Sequence, residues 1–200
     1  MRIALLLALS FLLASCGTEA EDNSEICFVG DSITDLWDVE YHFPGRFIHK
    51  HGIGGSKVED VMEWDLSACQ DLPTVLLIGT NNIDYLEHTN GSTSNLLSQN
   101  FYTKYKTLVK NIKPSKLYAI SILPRRILLT EDPRIINVIH DINDSLQKTL
   151  KEISTKSTFI NAYPAFIDNR DSLIKDFFVD GIHLNADGYE ALSAEVRKKL

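Results

Sequence analysis

Positive charge is in short supply: 20 Lys and Arg stand against 27 Asp and Glu, a formal net charge of −7 with a pI near 5.3. A nucleic-acid surface needs a basic patch to displace the counterions of the phosphates, so a nucleic-acid partner is excluded. The longest basic cluster, Arg197-Lys198-Lys199, closes an expected helix, where positive charge complements the helix dipole. Cysteine is scarce too, with three residues and no Cys-x-x-Cys spacing of the kind structural zinc sites use. The longest apolar run, Ile3 to Leu13, falls short of the roughly 20 residues a spanning helix requires. Repeats and low-complexity tracts are missing. What is present, 44% hydrophobic and 24% charged residues over 200 positions, fits one globular domain with one full core.

Arg2 precedes that apolar run, which ends in Ala14-Ser15-Cys16, and the pattern reads as a cleaved export signal. Leu13-Ala14-Ser15-Cys16 resembles the bacterial lipobox. That resemblance implies cleavage before Cys16 and a lipid on its sulfur; a plain secretory signal cut after Ala20 is the alternative. The expected organisation is a signal peptide at 1–15, a lipidated Cys16 with an acidic, non-periodic tether through 25, and a folded domain over 26–200. Gly17 stands where an aspartate would resemble an inner-membrane retention signal, so an outer-membrane or cell-surface address is implied, with membrane contact through the lipid anchor. Export permits a disulfide between Cys27 and Cys69. Cys27 lies inside an apolar strand, however, and is expected to be a small buried hydrophobe.

Short apolar runs alternate with helical patterns, the signature of parallel strands joined by crossover helices. Strands are predicted over Ile26 to Val29, Phe47 to His51, Thr74 to Ile78, Lys116 to Ile122 and Thr158 to Asn161. Leu97, Phe101, Leu108 and Ile112 form one helical stripe; Ile135, Ile139, Ile142, Leu146, Leu150 and Ile153 form another. A last helix is expected from Ala186 to Lys199 with Asn185 as N-cap. The implied α/β architecture is a flavodoxin-like three-layer α/β/α sandwich with a five-stranded parallel sheet in the order 2-1-3-4-5. Asp84 to Ser94 and Pro164 to Val179 read as loops that would carry specificity.

Open parallel sheets bind ligands beyond the carboxyl ends of their strands. There the first strand runs into Gly30-Asp31-Ser32, the second into Gly52-Ile53-Gly54-Gly55-Ser56, and the third into Gly79-Thr80-Asn81-Asn82. Ser56-Lys57-Val58-Glu59 has the form of a capping box, which would start a helix after Gly55 with free N–H groups at its end. Those groups, the Ser32 N–H and the Asn81 amide would cradle an oxyanion, and Gly55 would let a substrate carbonyl approach the backbone. A serine hydroxyl needs a base oriented by a carboxylate. Asp180-Gly181-Ile182-His183 offers both: Ser32 as nucleophile, His183 as general base and later acid, Asp180 as its orienter.

The four blocks, in chain order, closely resemble the SGNH hydrolase family, also called GDSL esterases. Gly30-Asp31-Ser32-Ile33-Thr34 matches the nucleophile block, Gly55 the glycine block, Gly79-Thr80-Asn81-Asn82 the asparagine block and Asp180-Gly181-Ile182-His183 the acid and base block. The resemblance implies a flavodoxin-like fold, acyl-ester hydrolysis through an acyl-enzyme, and no metal or other cofactor. Asn82 and Ser56 each stand where many members have aspartate. Together with Ile122-Leu123-Pro124-Arg125, the Gly-Thr-Asn-Asn block is similar to the platelet-activating-factor acetylhydrolase branch, which implies short acyl groups such as acetyl.

Several residues carry competing readings. His49 and His51 alternate along the second strand and could ligate a metal, but without a neighbouring ligand motif they read as a structural or exposed pair. Trp37 and Tyr85 read equally as acyl-pocket lining or as packing; Arg125 and Arg126 could contact an anionic substrate but read rather as a solvated loop pair. The expected function is a surface-tethered esterase acting on acetyl esters of carbohydrates or small molecules, with lysophospholipase or thioesterase chemistry as the alternative on the same site. A metal-dependent phosphoesterase lacks its Asp-x-His opening, and a non-catalytic glycan-binding lipoprotein would not need the four intact blocks.

Overall fold

The computed structural model describes residues 24–83, 94–125, 133–153, 156–170 and 172–200, with backbone only at 94–99 and 133–137. The apolar runs form β1 (Glu25–Gly30), β2 (Phe47–Gly52), β3 (Pro73–Leu77), β4 (Lys116–Ile120) and β5 (Ser157–Ile160). They make one parallel sheet in the order 2-1-3-4-5, as the alternating pattern predicts. The helices are α1 (Ser32–Asp35), α2 (Val39–His42), α3 (Val58–Val61), α4 (Ser94–Ile112), α5 (Pro133–Ile153) and α6 (Ala186–Arg197). Glu25, expected in the tether, already pairs with Phe47 in the sheet.

Side chains alternate across the sheet, and both faces are covered, which is why the central strands read as continuous apolar runs. Cys27, Val29, Leu76, Ile78, Leu117 and Ala119 pack on one face with residues of α3, α4 and α5. Ile26, Phe28, Val75, Leu77, Tyr118 and Ile120 pack on the other with α1, α2 and α6. The stripes of the two long helices supply Phe101, Leu108, Ile112, Ile139, Ile142, Leu146 and Leu150 to the first core; Leu97 and Ile135 lie outside the described side chains. In α6 the expected cap is present, with Asn185 Oδ1 accepting from Gly188 N at 3.0 Å, and the helix ends at Arg197.

One expectation is corrected. Cys27 and Cys69 are not separate buried thiols; they form a disulfide, with Cα atoms 5.5 Å apart and a sequence separation of 42 positions. The turn Ser67–Cys69 packs Cys69 fully buried beneath β1, a proximity that linear spacing does not encode. Closing a loop of that length contributes roughly 4 kcal/mol by the chain-entropy relation.

Candidate active site

β1 delivers its chain directly into Ser32, the first residue of α1, through a cap made by Asp31, whose Oδ1 accepts from Ile33 N at 3.0 Å. Gly30 allows this turn: a Cβ there would lie 2.2 Å from Leu77 O of the neighbouring strand. On the far side of the chain, Asp180 to His183 form a tight turn that Gly181 makes at φ +89°, closed by a hydrogen bond from Val179 N to His183 O of 2.8 Å. Within it, Asp180 Oδ1 accepts from Ile182 N and His183 N at 2.9 and 2.8 Å. Asp180 Oδ2 then meets His183 Nδ1 at 2.7 Å, and His183 Nε2 meets Ser32 Oγ at 3.0 Å. Three residues up to 151 positions apart thus form one hydrogen-bonded line, as the sequence pattern expects.

Two contacts fix that alignment from behind. Tyr189 Oη donates to Ile33 O at 2.9 Å, and Trp37 Nε1 donates to Ser193 Oγ at 3.0 Å, so α6 is locked to the segment that carries Ser32. Trp37 is fully buried among Phe28, Phe43 and Tyr189. It is a packing residue, and an acyl-pocket role for it is excluded. Tyr85 lies outside the described residues.

The electrostatics of the line follow from its contacts. Desolvation pushes Asp180 upward, but the hydrogen bonds from the His183 ring and from the backbone N–H groups of His183 and Ile182 prevail and hold it at about 2. Its carboxylate stays ionised beside the His183 ring. Asp31 behaves oppositely. It is fully buried, its Oδ2 has no hydrogen-bond partner among the described residues, and burial raises it to about 7, partly offset by the Ile33 N–H and by His183.

That shift makes a stability prediction. Unfolded, Asp31 titrates near 3.8, and folded near 7, so the unfolded state gives up its proton first and stability falls as pH climbs between those values. At the ionised end the penalty is on the order of 4 kcal/mol at 1.36 kcal/mol per unit. Asp31→Asn keeps the cap acceptor and removes the charge. Its urea midpoint should exceed that of the unsubstituted chain at pH 8 and match it near pH 4; an equal gain at both pH values would rule out ionisation as the cause.

The second and third strand ends meet beside Ser32. A Cβ on Gly54 would lie 3.8 Å from Ser32 Cβ, in ordinary contact, and Gly55 follows at φ +78°, a conformation suited to glycine, with open space where its Cβ would point. Asn81 Nδ2 donates to Ser56 O at 2.9 Å, binding the asparagine turn to the glycine segment. Among the described residues the N–H groups of Ser32 and Gly55 have no acceptor, which leaves them with Asn81 as candidate anion donors.

The capping box is placed differently from expectation. Helix α3 starts at Val58, not after Gly55: Asp60 Oδ2 reaches back to Lys57 N at 2.8 Å, and Asn82 Oδ1 occupies Val58 N at 3.1 Å. The end of this one-turn helix therefore has no free N–H at Val58 for an anion, and Ser56 is buried. Two residues noted in the sequence have positioning roles that it did not reveal. Asn82 also donates to Glu59 Oε2 at 2.9 Å, and Arg125 Nη1 donates to Thr80 O at 3.0 Å, so the turn bearing Asn81 is clamped from both sides. Arg125 is thus partly buried in a contact and not a solvated residue; Arg126 and Cys16 lie outside the described residues.

A family model described as the GDSL-like Lipase/Acylhydrolase family matches residues 28–191. Among curated proteins, the N-acylneuraminate cytidylyltransferase of Escherichia coli O18:K1:H7 is 27% identical over 183 residues, covering 89% of this chain. The chain spans 41% of that relative's length. Among solved structures, a Streptococcus pneumonia protein provisionally described as a platelet activating factor superposes with TM-score 0.69 at 23% identity, over 92% of this chain and 86% of that one. An acetylxylan esterase of Geobacillus stearothermophilus, solved as a catalytic mutant, gives TM-score 0.68 at 17% identity, over 90% and 95% of the two chains. Both share the fold.

Proposed function

Since the chain belongs to the GDSL-like lipase/acylhydrolase family, we propose that it hydrolyses ester bonds and that Ser32, His183 and Asp180 carry that hydrolysis through an acyl-enzyme. The observation behind this reading is the unbroken line from Asp180 Oδ2 to His183 to Ser32 Oγ, at 2.7 and 3.0 Å. His183 Nε2 takes the Ser32 proton as Oγ attacks the acyl carbonyl, and Asp180 stabilises the imidazolium. The N–H groups of Ser32 and Gly55 and the Asn81 amide bear the negative charge of the tetrahedral intermediate. His183 then protonates the departing alcohol, and water, deprotonated by the same nitrogen, releases the acid from Ser32. This chemistry needs no metal or other cofactor.

Asn81→Ala should lower kcat on p-nitrophenyl acetate by roughly 10²- to 10³-fold, the worth of one such donor. Unchanged kcat would remove Asn81 from the anion site.

For the substrate, we infer short acyl esters, acetyl above all, on carbohydrates or small alcohols. The similarity of the asparagine block and Ile122 to Arg125 to the platelet-activating-factor type supports the short acyl group, and the acetylxylan esterase of like fold supports the carbohydrate. A second reading, lysophospholipase or thioesterase action, draws on two exposed apolar side chains flanking the line: Ile53, 53% exposed, beside Gly54, and Val179, 73% exposed, beside Asp180. Rates along an ester series from acetate to palmitate separate the two, since a rise with chain length favours the second.

For the address, we propose export and lipidation at Cys16, with the enzyme held at the outer membrane or cell surface. Cys16→Ser should move the protein from the membrane fraction to the soluble one. Continued sedimentation with membranes would refute the anchor.

A further inference from the structure

One cluster of metal-ligating side chains plays no part in the hydrolysis. His49 and His51 alternate along β2, and because β2 pairs with β1 in register, Cys27 opposite His49 and Val29 opposite His51, both imidazoles share a face with Cys27. The two histidines then part company. His49 Nε2 is engaged by Glu25 Oε2 at 2.9 Å, whereas the ligand atoms of His51, Cys27 and Cys69 all lie within 4.8 Å of one another. His51 is half-buried and lines a surface cavity of about 410 Å³ with Trp64 and Asp65, while both sulfurs are fully buried behind it.

We propose that the dithiol form of this protein binds one zinc ion through Cys27, Cys69 and His51, with water from the cavity as fourth ligand. A tetrahedral zinc with bonds of about 2.3 Å to sulfur and about 2.0 Å to nitrogen sets its ligand atoms roughly 3.5 to 3.8 Å apart. The present triangle closes to that size by side-chain rotation: the sulfurs separate once their bond is broken, and the imidazole moves in. Charge selects the metal. Two thiolates and a neutral imidazole around Zn²⁺ make a complex of zero net charge, which suits a buried site; Cu⁺ would leave a negative charge there without a partner. Calcium and magnesium prefer oxygen ligands and would not take the sulfurs. The site is formed by the middle of β1, the end of β2 and the turn Ser67–Cys69, so it stands independently of the ester-hydrolase reading.

The site exists only when the disulfide is open. A trialkyl phosphine opens it in a balanced step: the phosphine gives the electron pair and becomes its oxide, taking oxygen from water, and the two water protons go to the sulfurs. Zinc then displaces both thiol protons into solvent.

The test uses the full chain with Cys16→Ser, so that no third thiol is present, reduced by phosphine without oxygen and titrated first with Co²⁺ and then with Zn²⁺. One equivalent of Co²⁺ should produce a sulfur-to-cobalt charge-transfer band in the near ultraviolet, and one equivalent of Zn²⁺ should abolish it and raise Tm. His51→Ala should weaken zinc binding at least roughly a hundredfold, since even an outer-shell partner of a ligand is worth ten- to a hundredfold. The oxidised chain, retaining its disulfide, is the control without thiolates and needs no cysteine substitution. Absence of the band, equal affinity in His51→Ala, equal binding by the oxidised chain, or a reduced chain that stays unfolded with zinc present would each overturn the proposal.

Discussion

Ser32→Ala should lower kcat on p-nitrophenyl acetate by roughly 10⁶-fold, the loss seen when the nucleophile of a comparable serine site is removed. The substitution takes away one oxygen and little else. Ser32 is the first residue of α1, whose cap is the Asp31 carboxylate bonded to Ile33 N, and that bond does not involve the Ser32 side chain. Asp180 and His183 keep their own contact at 2.7 Å, and the proposed anion donors remain. A variant of this kind should still bind an ester and stabilise an oxyanion, so the residual rate should stand roughly 10³- to 10⁴-fold above water alone. Covalent labelling gives a second readout: a fluorophosphonate should modify the unsubstituted chain once and Ser32→Ala not at all. Retention of the full rate, or labelling elsewhere, would require another nucleophile.

The sheet was legible because both its faces are covered: strands such as Ile26 to Val29 stand out as unbroken apolar runs between turn residues, and their succession with one-sided helices leaves few topologies. The line from Asp180 to Ser32 was legible for a related reason, since each of its residues follows or precedes an element whose end the pattern marks. What escaped the sequence depends on contacts between distant segments. The capping box is one case. Ser56 has the right residue type, but its carbonyl is taken by Asn81 and the N–H at Val58 by Asn82, so tertiary contacts displaced the helix start. Asp60, three residues after Lys57 and able to bond back to its N–H, was the local signal that pointed to the observed start. Trp37 is another case: its sequence context left pocket lining and packing equally open, and it is the contact of its indole N–H with Ser193, 156 residues away, that marks it as a packing residue. The Cys27–Cys69 pair is a third, because the proximity of Cys69 to β1 comes from the packing of the turn Ser67–Cys69.

The two asparagines after β3 divide one task between them. Asn81 holds the glycine segment by its carbonyl, and Asn82 holds α3 by the Val58 N–H and the Glu59 carboxylate. Glu59 in turn pairs with Lys104 of α4 at 3.2 Å. The proposed anion donors are therefore tied to a long helix packed on one face of the sheet, which is how a turn can hold preorganised dipoles without being a rigid element itself. In this chain an amide is the side chain that can accept from Val58 N and donate to Glu59 at the same time.

Asp180→Asn should lower kcat by roughly 10⁴-fold while leaving the fold in place, and the reason is the tautomer of His183. In the unsubstituted chain Oδ1 of Asp180 is occupied by two backbone N–H groups, and Oδ2 faces His183 Nδ1, so Nδ1 carries the proton and Nε2 presents a lone pair to Ser32 Oγ. In the asparagine variant the carbonyl oxygen keeps the two backbone bonds, which turns the amide NH₂ toward Nδ1. The imidazole must then accept at Nδ1 and carry its proton on Nε2, where it can no longer take the proton of Ser32. Asp180→Ala lacks the donor that enforces the wrong tautomer, so it should be less damaging than its size suggests and at least as active as the asparagine variant. The comparison separates two roles. If Asp180 acts only through its charge, Ala and Asn are equally impaired; if it acts by fixing the proton on Nδ1, Asn is the worse of the two. Steady-state kcat for both variants, with a urea midpoint for each to confirm the fold, decides between them.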